Sequence, residues 1–149
     1  MANQRIQELI SGYEGWGPDL YDDGIITYKA PAKSDFTEAF EKLERTLGID
    51  TQRVWKRGKA DIICNWGNTG DYAGWCTFDQ TKRGRKYSRI IVDKGEWYTQ
   101  STVVHEIGHA LGMRHPYDHS RADTIMSYGA PGDLPWFTEL DLQVLDYLY

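Results

Sequence analysis

Residues 105–115 read HEIGHALGMRH, and three of the chain's four histidines fall inside this window. Residues four apart on an α-helix share one face. His105 and His109 can therefore aim two imidazoles at one point if the chain between them is helical. Glu106 is turned about 100° from His105, so it stands beside that point rather than in the same set of ligands. Gly112 permits the left-handed turn that ends a helix, and the chain can then swing back to deliver His115. Three nitrogens at about 2.0–2.1 Å leave the fourth position of a tetrahedral zinc open, the mark of a catalytic rather than a structural site. A water held there is made acidic by the metal, and Glu106 is placed to take its proton as general base. A zinc-activated water of this kind hydrolyses an amide whose developing oxyanion the metal stabilises. A lone helical histidine is usually a surface or hydrogen-bonded imidazole, and a bare HExxH arises by chance. The longer pattern H-E-x-x-H-x-x-G-x-x-H is specific.

The rest of the chain alternates strand and helix signals. Residues 3–11 carry a short helical pattern with Ile6 and Ile10 on one side, and 12–24 (GYEGWGPDLYDDG) read as irregular. Ile25–Lys29 is a β-branched and aromatic run, which predicts a strand. Over 35–47, Phe36, Phe40, Leu43 and Leu47 fall on one helical face, with Ser34 or Asp35 as cap and Gly48 at the end. Short strands are expected at Arg53–Lys56, Ala60–Cys64, Gly74–Phe78 and Arg89–Val92, with a basic loop at 82–86. Thr99–Leu111 is the helix that carries the motif, with Val103, Val104, Ile107 and Leu111 as its apolar members. Residues 112–137 are mostly loop. A last helix starts near Thr138, where Thr138 and Asp141 have capping-box spacing, and its buried stripe is Leu140, Val144 and Leu148. This order is an α+β pattern, read as an N-terminal extension over 1–24, partly helical, and one catalytic domain over 25–149.

Composition excludes several classes. The net charge of −5 argues against nucleic acid as a partner, because duplex binders carry a basic excess. No run of about 18 apolar residues is present, so no membrane span is expected. The opening residues MANQRIQELISG lack the cationic start and apolar core of a secretory signal, which points to the cytoplasm or to release by another route. Cys64 and Cys76 both fall in expected strands and read as free thiols. A monomer is expected.

The motif resembles the metzincin clan of zinc peptidases, whose pattern continues to a methionine-containing turn. Here Thr124-Ile125-Met126-Ser127-Tyr128 follows, with Met126 eleven residues past His115. The resemblance implies a mixed, twisted sheet of about five strands, an active-site helix, a Met-turn whose Met126 forms an apolar floor under the imidazoles, and a C-terminal helix. The MSY segment and Pro116 resemble the serralysins, which implies that Tyr128 contacts zinc and stabilises the transition state; a buried packing role is the other reading. ITYK, ADIIC, the run from Ile90 to Trp97 and the closing LDLQVLDYLY resemble a matrix metalloproteinase catalytic domain. That likeness spans roughly 25–149 and is sharp over 105–128. The chain departs from the matrix enzymes in having no histidine before His105, hence no second, structural zinc site, and no cysteine before Cys64, hence no propeptide cysteine switch. Asp19, Asp22 or Asp23 could block the zinc instead, although turn or solvated roles suit them better. The resemblance to the matrix enzymes implies a calcium-binding pair at Asp93 and Glu96, and carboxylates suit calcium, but the supporting loop is not recognisable. Asp141 resembles an aspartate that braces the Met-turn in the matrix enzymes, and helix capping explains it equally well.

The resemblance further implies a protein or peptide substrate bound in extended form along a rim strand, Gly74–Phe78, with residues 129–137 lining the pocket past the cut. Trp136 either walls that pocket or anchors the last helix. The basic loop and His119 read as solvated surface. Two other functions compete: a non-catalytic zinc-binding interaction domain, which would not need Glu106, and a zinc amidohydrolase acting on a small amide.

Overall fold

The computed structural model describes residues 4–10, 17–21, 23–94, 99–118, 120–127 and 134–149. Over these the chain is α+β, with one mixed five-stranded sheet and four helices. The strands are β1 (Ile25–Lys29), β2 (Asp50–Arg53), β3 (Ile62–Trp66), β4 (Gly74–Gln80) and β5 (Lys86–Val92). The helices are α1 (Gln4–Ile10), α2 (Asp35–Leu47), α3 (Thr99–Ala110) and α4 (Glu139–Leu148). In space the strands run β2-β1-β3-β5-β4. The first three pairings are parallel and β4 runs antiparallel to β5. A parallel neighbour needs a crossover connection, and α2 supplies the one from β1 to β2.

Local chemistry explains α2. Ser34 is the cap, and its Oγ accepts a hydrogen bond from the Thr37 amide at 3.3 Å. At the far end Gly48 adopts φ 68° and its N–H reaches the Glu44 carbonyl. Phe36, Phe40 and Leu43 are fully buried on the predicted face, while Leu47 is only partly covered. Opposite them, alternate strand residues Ile26, Tyr28, Ile62, Cys64, Ile90 and Val92 are buried in the same core, together with Val103, Val104 and Ile107 of α3. Each large side chain buried in this way stabilises the fold by about 1.5–3 kcal/mol.

Four of the five strands differ in their bounds from the sequence reading, and of these β4 only runs on, to Gln80 instead of Phe78. β2 lies at Asp50–Arg53 rather than Arg53–Lys56. Val54 and Trp55 carry the β propensity there, but backbone pairing with β1 from Ile25↔Asp50 to Tyr28↔Arg53 places the strand. Trp55 projects into solvent, 76% exposed, with the Arg53 guanidinium over its ring. β3 starts at Ile62 instead of Ala60, because Asp61 is engaged with Thr27: its carboxylate accepts the Thr27 amide and its own N–H reaches the Thr27 carbonyl. β5 starts at Lys86 and takes up the end of the basic loop. The remaining turn is closed by the Thr81 N–H to Arg85 carbonyl bond, and Lys82, Arg83 and Gly84 are exposed as expected.

The N-terminal segment is woven into this core. Ile6, Leu9 and Ile10 of α1 and Tyr21 of a 3₁₀ turn over Gly17–Tyr21 are all buried in it. Cys64 and Cys76 are free thiols, on strands separated by β5. Among the described residues no helix is long and apolar enough to cross a membrane.

Candidate metal centre

The residues of α3 divide into two sets. Val103, Val104, Ile107 and Ala110 are buried in the core, whereas His105 and His109, four residues apart, are half-buried. The helix then stops in the way the sequence predicts. Gly112 takes φ 104°, its N–H bonds the His109 carbonyl at 3.1 Å, and the Met113 N–H reaches back to the Gly108 carbonyl at 2.9 Å. This paired bonding is the usual left-handed helix stop. A side chain at 112 would also come within 3.0 Å of the Gly17 Cα, so packing as well as conformation demands glycine.

Past this stop the chain returns His115 to the helix. The three Nε2 atoms form a near-equilateral triangle: His105 to His109 is 3.1 Å, His109 to His115 is 3.0 Å and His105 to His115 is 3.2 Å. The three side chains are the one grouping of potential metal-ligating residues found among the described residues.

The outer nitrogens settle the tautomers. His105 Nδ1 lies 2.7 Å from the Ile125 carbonyl and His109 Nδ1 lies 3.1 Å from the Met113 carbonyl. A carbonyl only accepts, so each Nδ1 carries the proton and each Nε2 of the neutral ring presents a lone pair. Burial lowers the His105 pKa, and it lowers that of His109 further, where repulsion from the other two imidazoles adds to it. Two bare lone pairs 3.1 Å apart repel unless a cation stands between them. The donor set therefore fits a metal ion, and imidazole nitrogens suit zinc and other late transition metals.

Each outer carbonyl is itself held. The stop at Gly112 places the Met113 carbonyl. The Ile125 carbonyl belongs to a turn braced by Asp141, which is fully buried. One oxygen of its carboxylate accepts the Thr124 hydroxyl at 2.5 Å, and the other accepts the Ile125 and Thr138 amides at 2.8 and 3.0 Å. Asp141 thus braces the turn and completes the capping box of α4 with Thr138, so both roles read for it are present.

Met126 is fully buried in that turn and packs on α3 at Gly108, where a Cβ would come within 2.6 Å of its sulfur. Gly108 is a position that sequence reading passed over. A glycine inside a helix costs about 1 kcal/mol relative to alanine, which was a signal that something packs closely there. Glu106 follows His105 and is buried; desolvation pushes its carboxyl up to about 8. Across from it, Cys76 on β4 is half-buried, its thiol raised first by burial and then by the Glu106 charge.

Other expected positions are placed unevenly. Tyr128, Glu96, Asp22, His119 and the Asp19 side chain lie outside the described residues, as does most of the 129–137 connection. Asp23 is exposed and accepts the Ile25 amide, a turn role. Asp93 is half-buried with its N–H on the Ala73 carbonyl. Trp136 packs edge-on against Phe137, under the Lys42 ammonium of α2. With Gln100 and Val104 it lines a cleft of about 230 Å³ between α2 and α3. Two tyrosines had no sequence signal: Tyr21 and Tyr149 donate their hydroxyls to the Ala110 and Leu111 carbonyls, which the end of α3 leaves open.

No protein-family description and no curated protein matches the chain.

Proposed function

We propose that the chain is a zinc hydrolase, with zinc held by His105, His109 and His115. More particularly, we read it as a metalloendopeptidase of metzincin-like fold that cuts an extended protein or peptide substrate. The observation that carries this reading is the Nε2 triangle, with the protons of His105 and His109 assigned to the outer nitrogens. When bound, zinc supplies a Lewis acid that polarises the scissile carbonyl and makes a water acidic.

The chain's own residues supply the rest. Glu106, desolvated and one residue from a ligand, takes the proton of the attacking water and returns it to the leaving amine. Met126 gives the site a close-packed apolar support through Gly108. Tyr128 follows two residues later and is assigned to stabilising the transition state. The outer edge of β4, the terminal strand of the sheet, offers unpaired backbone groups to an extended peptide. A purely structural three-histidine site would have no use for a buried carboxylate at 106, which is costly to keep.

The test measures zinc content and cleavage of a denatured protein and a peptide library, with and without chelator. Wild type should hold one zinc per chain and cut, and chelation should abolish cutting. Glu106→Gln should keep the zinc and lose about 10²–10⁴-fold in rate. A Glu106→Gln variant that cuts at the wild-type rate removes the general-base assignment, and a wild type without zinc removes the whole reading.

A further inference from the structure

We propose that Glu8 is a positioning residue for His115, so that docking of α1 decides whether the three-histidine site is complete. This rests on the metal assignment above and concerns how that site is assembled. His105 and His109 ride on a regular helix, but residues 113–116, which include His115, have no regular secondary structure. The last turn of α1 grips this stretch on both sides of His115. The Leu9 carbonyl accepts the Arg114 amide at 2.7 Å, one residue before His115, and the Glu8 Oε1 accepts the Tyr117 amide at 2.9 Å, two residues after it. Two successive residues of one helix thus hold both flanks of the third ligand.

The geometry is economical in hydrogen bonds. The Leu9 carbonyl belongs to the last turn of α1, where carbonyls have no partner within the helix. It can serve the loop without weakening α1. Glu8 is fixed in turn: its Oε2 accepts Arg121 Nη1 at 2.7 Å, and Arg121 also grips Asp123 through Nε and Nη2 at 2.8 and 2.9 Å. Arg5 of α1 reaches the same Asp123. The side chains of Glu8 and Arg121 are only 20% and 16% exposed, so solvent screens the pair less than a surface ion pair. A helix of seven residues does not persist alone in water. Its order therefore depends on Ile6, Leu9 and Ile10 being buried, and the His115 stretch is ordered with it.

Glu8→Ala removes the acceptor while keeping a strong helix former. Glu8→Gln keeps an oxygen for the Tyr117 amide. Glu44→Ala is the control, because Glu44 also bonds a backbone amide, that of Thr51, but between α2 and β2. The measurements are cobalt(II) affinity by chelator competition, the cobalt visible absorption band, and amide hydrogen exchange at Arg114 and Tyr117. Groups that orient metal ligands change affinity about 10–100-fold when removed. Glu8→Ala should therefore bind cobalt at least about tenfold more weakly, with an altered band and faster exchange at both amides. Glu8→Gln should stay close to wild type, and Glu44→Ala should match it. Wild-type affinity in Glu8→Ala overturns the proposal and leaves the metal assignment standing. Equal losses in Glu8→Ala and Glu44→Ala overturn it as a general stability effect. A Glu8→Gln variant as weak as Glu8→Ala overturns the hydrogen-bond assignment in favour of the Arg121 ion pair. A wild type that binds no cobalt overturns both the proposal and the metal assignment.

Discussion

The three-histidine group is built from two unlike regions. On α3, His105 and His109 are aligned by helix periodicity, and each has its outer nitrogen on a backbone carbonyl, of Ile125 and of Met113. On the returning stretch, His115 sits in a segment without secondary structure, held at Arg114 and Tyr117 by α1. The helical pair needs only a local rule to share a face. His115 is flanked instead by contacts from residues more than 100 positions away in the chain. His105 and His109 are thus paired by local geometry, whereas the place of His115 is set by contacts with the rest of the fold.

Removing ligands tests this division most severely. Alanine at 105, 109 or 115 should each abolish stoichiometric zinc, read by metal analysis after dialysis. In the metal-free protein, His105→Ala and His109→Ala should also lower unfolding free energy by about 1–3 kcal/mol, because the Ile125 and Met113 carbonyls lose their donors. Denaturant titration of the chelated variants measures this. A metal-free His105→Ala as stable as wild type would break the claim that the helical ligands double as structural donors.

Gly108→Ala sharpens the account of how α3 meets the Met126 turn. Helix propensity favours the change by about 1 kcal/mol, but overpacking a tight core costs about 1–3 kcal/mol. With a Cβ 2.6 Å from a fully buried sulfur, overpacking should win and the variant should be less stable. In a double-mutant cycle with Met126→Ala, the two losses should fall short of additive by at least about 0.5 kcal/mol. Additive losses would separate Gly108 from the turn.

The smallest effect is on pH. In chelated protein, Glu106 has its folded pKa raised to about 8 from an ordinary 4.5. The stability it contributes is fully present below the unfolded value and is lost as pH rises through the folded one. His105 and His109 are lowered from 6.5, so their contribution is present above the unfolded value and is lost as pH falls through the folded one. The thermal midpoint of chelated wild type should therefore peak near neutral pH and decline on both sides. Glu106→Gln should flatten the alkaline decline and steepen the acidic one, where the Glu106 titration otherwise opposes that of the histidines. An alkaline limb of equal steepness in that variant would assign the titration elsewhere.

Much of the helical architecture was legible because its signals are local. Ser34 and Gly48 delimit α2, Thr138 and Asp141 cap α4, and Gly112 stops α3. Strand boundaries are less legible. β2 falls three residues early because an edge strand is placed by pairing with its neighbour, not by the propensity of Val54 and Trp55. Leu145 is fully buried but absent from the expected stripe, and Leu148 is only partly covered; which side of α4 is inward depends on what packs against it.

The sequence by itself determined the donor set, its helical pairing, and the turn that ends the helix, because each follows from spacing along a few residues. Only the tertiary structure decided that Glu8 and Leu9 hold the flanks of His115, that Tyr21 and Tyr149 close the end of α3, and that Gly108 admits Met126. Those contacts join residues far apart in the chain, and no local periodicity records which distant groups folding brings within hydrogen-bond reach.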